Sequence, residues 1–358
     1  MRRFLRFVGL ALLLLVVAAG VFAAYVAVSG IPKYPPGRIE RRVEITPERV
    51  ERGRKIAGLS CLSCHQNPTT GKLTGKQNMD VPKQFGIVFS KNITRDPVHG
   101  IGSWTDGELM YFLRTGVHRT GQYVPPYMPK FPLLSDDDLE SIVAFLRSDD
   151  SLTAPSPEDP PGRSHPSFLT KFLAHTVFKP LPYPKERIPM PSPADRVAYG
   201  RYLSSSLGCF TCHSADFKTM NELEPEKSEG YFGGGNALLD QRGETVVTAN
   251  ITFDQATGIG RWTEEEFDRA LRTGVRPDRT VLLYPMEPMP DLTREDTAAL
   301  YAFLQSVPKR VHAVARPARQ PVAADASEGK KLYYKYGCPA CHGDQGVGIG
   351  DLRQAAAH

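Results

Sequence analysis

The chain has 358 residues, enough for two or three domains, and carries a formal net charge of +5 that is spread along its length. No basic stripe with interleaved aromatic residues is present, which argues against a nucleic-acid partner. Glycine and proline contribute 31 residues each and favour loops over long regular elements, so we expect a large apolar cofactor to complete the core.

The first 30 residues predict a membrane helix. Arg2, Arg3 and Arg6 precede an uncharged run from Phe7 to Val28. As a helix this run is about 33 Å long, enough to cross a hydrocarbon core of about 30 Å. No two alanines have the A-x-A spacing of a cleavage site, which favours an uncleaved anchor over a cleaved signal peptide, the alternative. In either case the arginines stay cytoplasmic and the rest of the chain is exported.

Two segments of the chain are copies of one another. SKNITRDPVHGIGSWTDGELMYFLRTGV (90–117) matches TANITFDQATGIGRWTEEEFDRALRTGV (248–275), and the residue numbers differ by 158. The same difference persists to SDDDLESIVAFLRS (135–148) and TREDTAALYAFLQS (293–306). A repeat of this length predicts two copies of one domain.

Each copy is predicted to be helical. N-cap residues mark three helix starts in both copies, namely Thr46 and Ser192, Thr105 and Thr263, and Ser135 and Thr293. Proline follows the first pair, glutamate completes a capping box after the second, and the middle helix is expected to end at Gly116 or Gly274. Segments 86–90 and 243–248 are compatible with short strands or loops. The predicted fold class is all-α, with tandem domains behind an N-terminal transmembrane helix.

All six cysteines fall in C-x-x-C-H motifs, which are Cys61, Cys64 and His65; Cys209, Cys212 and His213; and Cys338, Cys341 and His342. This is the spacing of covalent haem attachment, in which the thiols bind the vinyl groups and the histidine is the proximal iron ligand. Neither a redox C-x-x-C motif nor half of a zinc site would explain why a histidine directly follows the second cysteine in all three motifs. We predict haem c at the first two motifs and a third haem at the last. Bacterial haem attachment takes place outside the cytoplasmic membrane, in agreement with the N-terminal segment.

The sixth iron ligand is expected to be a methionine in each copy. Met128 lies just before the last helix of the first copy, and Met286 occupies the same place 158 residues later. Met289, which is also followed by proline, is the alternative to Met286. Met/His ligation closes the sixth position and raises the iron potential, so it favours electron transfer over catalysis. We find no nucleophile–base pair or phosphate loop and predict no catalytic residue.

The remaining segments are predicted linkers. The organisation in chain order is 1–30, anchor or signal; 31–45, linker; 46–150, first haem domain; 151–191, linker; 192–307, second haem domain; 308–325, linker; and 326–358, partial third haem domain. We expect residues 31–45 to be an extended spacer that lifts the first domain off the membrane. No methionine follows His342, so we expect a shortened third domain with an exposed haem.

The run N-I-T-x-D-x-x-x-G-I-G-x-W-T, followed by L-R-T-G-V, a methionine segment and an A-F-L helix, resembles the tri-haem cytochrome c subunits of membrane-bound periplasmic alcohol, gluconate and sugar dehydrogenases. The resemblance covers most of residues 47–307. It implies tandem cytochrome c domains at the bacterial inner membrane, facing the periplasm. It also implies an electron relay from a dehydrogenase partner to the quinone pool or an oxidase.

By the same resemblance, the first haem is served by Cys61, Cys64, His65 and Met128, and the second by Cys209, Cys212, His213 and Met286. The alternative function is a di-haem peroxidase-like enzyme, which needs one haem with an open or displaceable sixth position. Matching methionines in both copies argue against it.

Overall fold

The computed structural model describes residues 1–240, 244–282 and 284–315, together with Ser327, Gly329 and Tyr333. The helices in this part of the chain are α1 (Arg2–Ser29), α2 (Pro47–Ser60), α3 (Leu62–His65), α4 (Asp106–Thr115), α5 (Asp136–Arg147), α6 (Phe168–Thr176), α7 (Arg196–Ser206), α8 (Cys209–His213), α9 (Glu264–Thr273) and α10 (Arg294–Ser306). The strands are β1 (Gly86–Ile87), β2 (His165–Pro166), β3 (Ala237–Leu239) and β4 (Thr245–Val247). β1 pairs with β2 and β3 with β4, both antiparallel, so the fold is mostly helical with two short ladders.

Most of the predicted helix starts are confirmed by side-chain capping bonds, which are present at Thr46, Thr105, Ser135, Thr263 and Thr293. The structure differs at Ser192. Helix α7 begins later, with Asp195 as its N-cap, because the Asp195 carboxylate accepts from the Ala198 N–H at 3.0 Å. Ser192 instead accepts a side-chain bond from the N–H of Ala194 in the turn before the helix.

We call residues 46–150 the first repeat and residues 192–307 the second repeat. In each, the helix before the C-x-x-C-H motif crosses the last helix at a glycine. A Cβ at Gly53 in α2 would lie 1.8 Å from the Ser141 carbonyl oxygen in α5, and a Cβ at Gly200 in α7 would lie 1.9 Å from that of Ala299 in α10. The crossings therefore require glycine, and they bring both motifs against the core.

Within the described residues the core consists of two large hydrophobic clusters and a small one around Val275 and Val281. The first contains buried residues of α4 and α5, with Cys61, Trp104 and Met128 packed at its edge. The second contains buried residues of α9 and α10, with Cys209 and Trp262 at its edge. Each repeat thus buries an apolar interior next to its cysteine motif.

Residues 31–45 lie along the first repeat and do not stand free of it. The Tyr34 N–H donates to the Gly121 carbonyl at 2.8 Å, and the Tyr34 and Tyr123 rings meet edge to face. Val43 is buried, and its N–H donates to the Asp106 carboxylate at 2.9 Å. These apolar contacts and hydrogen bonds dock the segment on the first repeat.

Residues 151–191, predicted as a linker, carry regular structure. This segment contains β2, which pairs with β1 of the first repeat, and helix α6. The helix was missed because its nine residues lie between prolines and basic residues, a composition typical of loops.

The two repeats meet through two buried aspartates, Asp138 in α5 and Asp296 in α10, each 3% exposed. Asp138 binds Arg52 of its own repeat and accepts from the Tyr202 hydroxyl of the other. Asp296 accepts from the Tyr199 hydroxyl of its own repeat at 3.0 Å and pairs with Lys55 of the other.

This arrangement is pseudo-symmetric, because each aspartate has one partner from its own repeat and one from the opposite repeat. Burial alone would raise the pKa of Asp296, but the bonds from Lys55 and the Thr293 N–H hold this pKa below its ordinary value. The carboxylate is therefore charged near neutral pH and keeps its partner across the interface.

Replacing Tyr202 by phenylalanine should weaken the contact between the repeats. The change removes hydrogen bonds to Asp138 and Ser135, and we expect a loss of about 2 kcal/mol because one acceptor is a buried carboxylate. Tyr199→Phe, the matched control, removes a bond within the second repeat only. In calorimetry, Tyr202→Phe should separate the unfolding of the two repeats while Tyr199→Phe leaves them coupled; equal behaviour of the two variants would contradict this role.

Candidate haem sites

The first cysteine motif occupies a single helical turn after α2. The N–H groups of Cys64 and His65 donate to the Cys61 carbonyl at 3.2 and 2.9 Å. Residues three apart on a helix share a face, so the two thiols lie on one side of the turn. In the second repeat, α8 carries Cys209, Cys212 and His213 in the same order. Both motifs therefore present two thiols and a histidine from one rigid turn.

Each motif histidine is oriented by a backbone carbonyl. His65 Nδ1 lies 2.8 Å from the Lys91 oxygen, and His213 Nδ1 lies 2.8 Å from the Ala249 oxygen. A carbonyl only accepts hydrogen bonds, so Nδ1 carries the proton, and a histidine in this tautomer has its lone pair on Nε2. Burial lowers the pKa of His65, partly opposed by the bond to Lys91. The neutral imidazole is the form that binds a metal.

Sequence reasoning missed Lys91 and Ala249, which act through their backbone atoms. A signal existed, because the two residues are 158 apart and each directly precedes the N-I-T run.

The asparagine of that run holds the carbonyl segment in place. Asn92 is 3% exposed; its Nδ2 donates to the carbonyls of Ser156 and Glu158, and its Oδ1 accepts from the Thr94 N–H and hydroxyl. Asn250 does the same in the second repeat with Arg310 and Thr252. Because Asn92 follows Lys91 directly, these bonds also fix the carbonyl that orients His65.

Replacing Asn92 by leucine should destabilise the first repeat by about 3 kcal/mol, because several buried backbone and hydroxyl groups lose their partner. Denaturant unfolding followed by absorbance at the first haem measures the loss. Asn250→Leu is the internal control and should affect the second haem instead. An unchanged midpoint for Asn92→Leu would show that the side chain does not hold this segment.

The glycine-rich stretch 233–235 of the second repeat lies against the cysteine motif. The Gly234 N–H donates to the His213 carbonyl at 2.7 Å, with a φ of 69°. A Cβ at this position would lie 2.4 Å from the Ala249 carbonyl carbon. The neighbouring Phe232 is fully buried in the second cluster. This stretch is therefore part of the wall of the site.

The four described cysteines are not suited to thiol redox chemistry. Burial raises the pKa of Cys61 and of Cys209 to about 12, and burial also raises the pKa of Cys64 and of Cys212. Reactive cysteines have lowered pKa values in exposed, electropositive surroundings. Within the described residues, no three His, Cys, Asp or Glu side chains group together to hold a metal ion, as a zinc site would require.

The methionine segment has the same backbone register in both repeats. The Phe131 N–H donates to the Leu113 carbonyl at 2.9 Å, and the Met289 N–H donates to the Leu271 carbonyl at 2.7 Å. Both pairs differ by 158, so Met289 is the counterpart in register of the buried core residue Phe131, and it is partly buried at the edge of the second cluster. Met286 is then the counterpart of Met128, and both are half-buried.

Lys130, two residues after Met128, tests whether the site fits a haem. Its Nζ is buried and has no hydrogen-bond partner among the described residues. Burial lowers the pKa of Lys130 to about 7, and the Glu222 carboxylate of the second repeat opposes this shift. The ammonium lies over the Tyr123 ring at 5.4 Å from its centroid, but a buried cation without a hydrogen-bond partner is costly, and haem propionates would supply carboxylates. The side chains at this position therefore fit the cofactor. The third motif lies outside the described residues.

The helices, the motif turns and the oriented histidines are those of a c-type cytochrome. The family model for cytochrome c matches residues 50–150. A di-haem cytochrome c-type protein of Cereibacter sphaeroides is 30% identical over an alignment that covers 84% of this chain and 97% of its own length. The chain belongs to the cytochrome c family.

The resemblance to dehydrogenase cytochrome subunits is also confirmed. The cytochrome c subunit of a quinone-dependent alcohol dehydrogenase from Gluconacetobacter polyoxogenes is 26% identical over 84% of this chain and 66% of its own length. The gluconate 2-dehydrogenase cytochrome c subunit of Pantoea cypripedii is 27% identical over 86% of this chain and 72% of its own. This chain thus spans about two thirds of the alcohol dehydrogenase subunit. Both relatives are named as the cytochrome c subunits of dehydrogenases.

Proposed function

We propose that this chain is a membrane-anchored multihaem cytochrome that relays electrons from a periplasmic dehydrogenase to the quinone pool or a terminal oxidase. The observation that carries the proposal is the duplicated site. Both repeats hold the motif histidine by a carbonyl at the same register and place a methionine at the same register. Two similar sites in adjacent domains favour electron transfer between the two sites over catalysis at one of them.

The two repeats are tandem cytochrome c domains in this proposal. Cys61, Cys64, His65 and Met128 hold the first haem. Cys209, Cys212, His213 and Met286 hold the second. The register of Met289, which matches core residue Phe131, favours Met286 as the ligand. Cys338, Cys341 and His342 provide a third attachment motif by sequence.

A bound haem supplies an iron that can gain and lose one electron. The chain's own residues decide how that property is used. The thiols fix the cofactor to a rigid turn, and the carbonyl of Lys91 or Ala249 fixes the imidazole plane. Met128 and Met286 would hold the iron as second protein ligands, which would exclude peroxide and oxygen. The dehydrogenase-subunit relatives give no support to the peroxidase alternative.

Helix α1 supports the membrane anchor and the periplasmic location. It is long and apolar enough to cross a bilayer by length and composition, and its first turns carry three arginines. Fractionation should place the protein in the membrane pellet. Recovery in the soluble periplasm with a new amino terminus near residue 30 would contradict the anchor.

The oxidised absorption spectrum tests the relay. Mass spectrometry of the purified protein counts the attached haems, and a methionine–iron charge-transfer band should accompany low-spin haem in both repeats. Carbon monoxide added to the reduced protein should leave these two haems unchanged. A high-spin band from either repeat, or carbon monoxide binding there, would favour the peroxidase-like alternative over a relay.

A further inference from the structure

Helix α6 exposes a row of large apolar side chains. Phe168, Leu169, Phe172 and the adjoining Val177 are 49%, 39%, 37% and 64% exposed. At 100° per residue the first three span one narrow arc of the helix surface. We call Phe168, Leu169 and Phe172 the α6 apolar face, and exposed Val177 lies just beyond the end of the helix.

The α6 apolar face differs from the other exposed apolar residues outside α1. Those described residues, such as Val98, Val197, Phe217 and Val311, are scattered singly along the chain. Single exposed apolar residues are normal on a protein surface, whereas a contiguous patch marks an interaction site.

The opposite side of α6 is fixed to the first repeat. Thr170 and Ala174, one turn apart, are 1% and 0% exposed. The Thr170 hydroxyl donates to the Phe85 carbonyl and the Ser167 hydroxyl to the Gln84 carbonyl, both at 2.6 Å. The α6 apolar face is therefore held in a set orientation.

Helix α6 also packs against the carboxyl end of α1. The rings of Phe22 and Phe172 meet edge to face at 6.1 Å between centroids, and those of Tyr25 and His175 at 5.3 Å. Lys171 donates to a carbonyl in the last turn of α1 at 3.3 Å.

His175 Nε2 completes this contact, lying 3.1 Å from the Ser29 hydroxyl and 3.0 Å from the Gly30 carbonyl. Together, Lys171 and His175 bind carbonyls that the helix end leaves without partners. The junction of the two helices is thus a specific contact.

The position of this junction along α1 sets its depth in a bilayer. Phe22 lies 15 residues after the start of the apolar run at Phe7, and Gly30 lies 23 residues after it. At 1.5 Å per residue these distances are about 23 Å and about 35 Å, on either side of a hydrocarbon thickness of about 30 Å. Phe172 therefore contacts Phe22 deeper in the bilayer, and His175 contacts the Ser29 hydroxyl and the Gly30 carbonyl nearer to its surface.

We infer that α6 lies at the membrane–water interface on the side of the membrane where α1 ends, and that its apolar face contacts lipid acyl chains. The inference rests on the proposed anchoring by α1. A fixed apolar face next to an anchoring helix is the pattern of an interfacial helix. It would hold the first haem domain at a fixed height and tilt over the membrane.

Labelling from within the bilayer tests this inference on the full haem-loaded chain. The protein is reconstituted in vesicles of phosphatidylethanolamine and phosphatidylglycerol with a phenyl-diazirine that dissolves in acyl chains. After illumination, peptides are mapped by mass spectrometry. We expect label on α1 and on 168–177, with none on the peptide that contains exposed Phe217, the matched control.

The two proposals fail in distinguishable ways. Label on α1 without label on 168–177 would overturn the interfacial position of α6 and leave the anchor standing. A face reserved for a protein partner would give that result in vesicles that hold this chain alone. Absence of label from α1 would overturn the anchor itself.

A variant makes the test independent of peptide recovery. Phe168→Glu combined with Phe172→Glu should remove at least nine tenths of the label from 168–177 and leave the label on α1 unchanged. An unaltered haem spectrum would show that the first repeat is still folded. Full labelling of 168–177 in this variant would contradict lipid contact through the α6 apolar face.

Discussion

Replacing Met128 by alanine should convert the first haem from low-spin to high-spin and remove its share of the methionine–iron charge-transfer band. The thioether raises the iron potential, so we expect that haem's potential to fall by on the order of 0.1 V. Absorption spectroscopy and a redox titration measure the two effects. Because the cysteine motif is untouched, the haem stays attached, and carbon monoxide should now bind to the reduced protein.

Met110→Ala is the matched control for this change. Met110 is a buried core residue of α4 in the same repeat, at 3% exposure. Its loss should lower stability by about 2–5 kcal/mol and leave the haem low-spin, since it creates a cavity without removing a ligand. A high-spin haem in the Met110 variant, or a low-spin haem in the Met128 variant, would contradict the ligand assignment.

Replacing Met286 by alanine should produce the same spectral change at the second haem, whereas Met289→Ala should not. Met289 occupies the backbone position of Phe131 and packs on the second hydrophobic cluster. We therefore expect Met289→Ala to lower the free energy of unfolding by about 2 kcal/mol with the spectrum intact. Met286→Ala should give the opposite pattern, a spectral change with little loss of stability.

Comparing the two variants distinguishes an iron ligand from a core residue that lies three positions further along the same loop. Denaturant unfolding and the oxidised spectrum are recorded for both. A spectral change in the Met289 variant alone would mean that the second repeat shifts its register by three residues relative to the first.

The cysteine motifs and the repeat are local or periodic features, and the sequence alone determined them. The C-x-x-C-H spacing predicts haem attachment because covalent attachment needs fixed spacing along the chain. Capping residues marked five helix starts, because a cap acts within three residues of itself. The common offset of 158 predicted that Met286 matches Met128, and the backbone bonds of Phe131 and Met289 follow the same offset.

Features that join distant parts of the chain were decided by the tertiary structure. The carbonyls that orient His65 and His213 lie 26 and 36 residues away, and a carbonyl is present at every position, so residue identity gives no sign of it. The Tyr202–Asp138 bond joins residues 64 apart. Each side chain alone looks like an ordinary helix residue.

Helix α6 and the docking of residues 31–45 could not be predicted from the sequence for the same reason. Their composition is that of linkers, and both are ordered by what they pack against: α1 and the first repeat in one case, the first repeat alone in the other. A short helix gains most of its stability from tertiary contacts, because propensity alone seldom overcomes the entropy of nucleation. The sequence thus determined which cofactor this protein is built to hold, while packing decided how the histidines, the repeats and α6 are held in place.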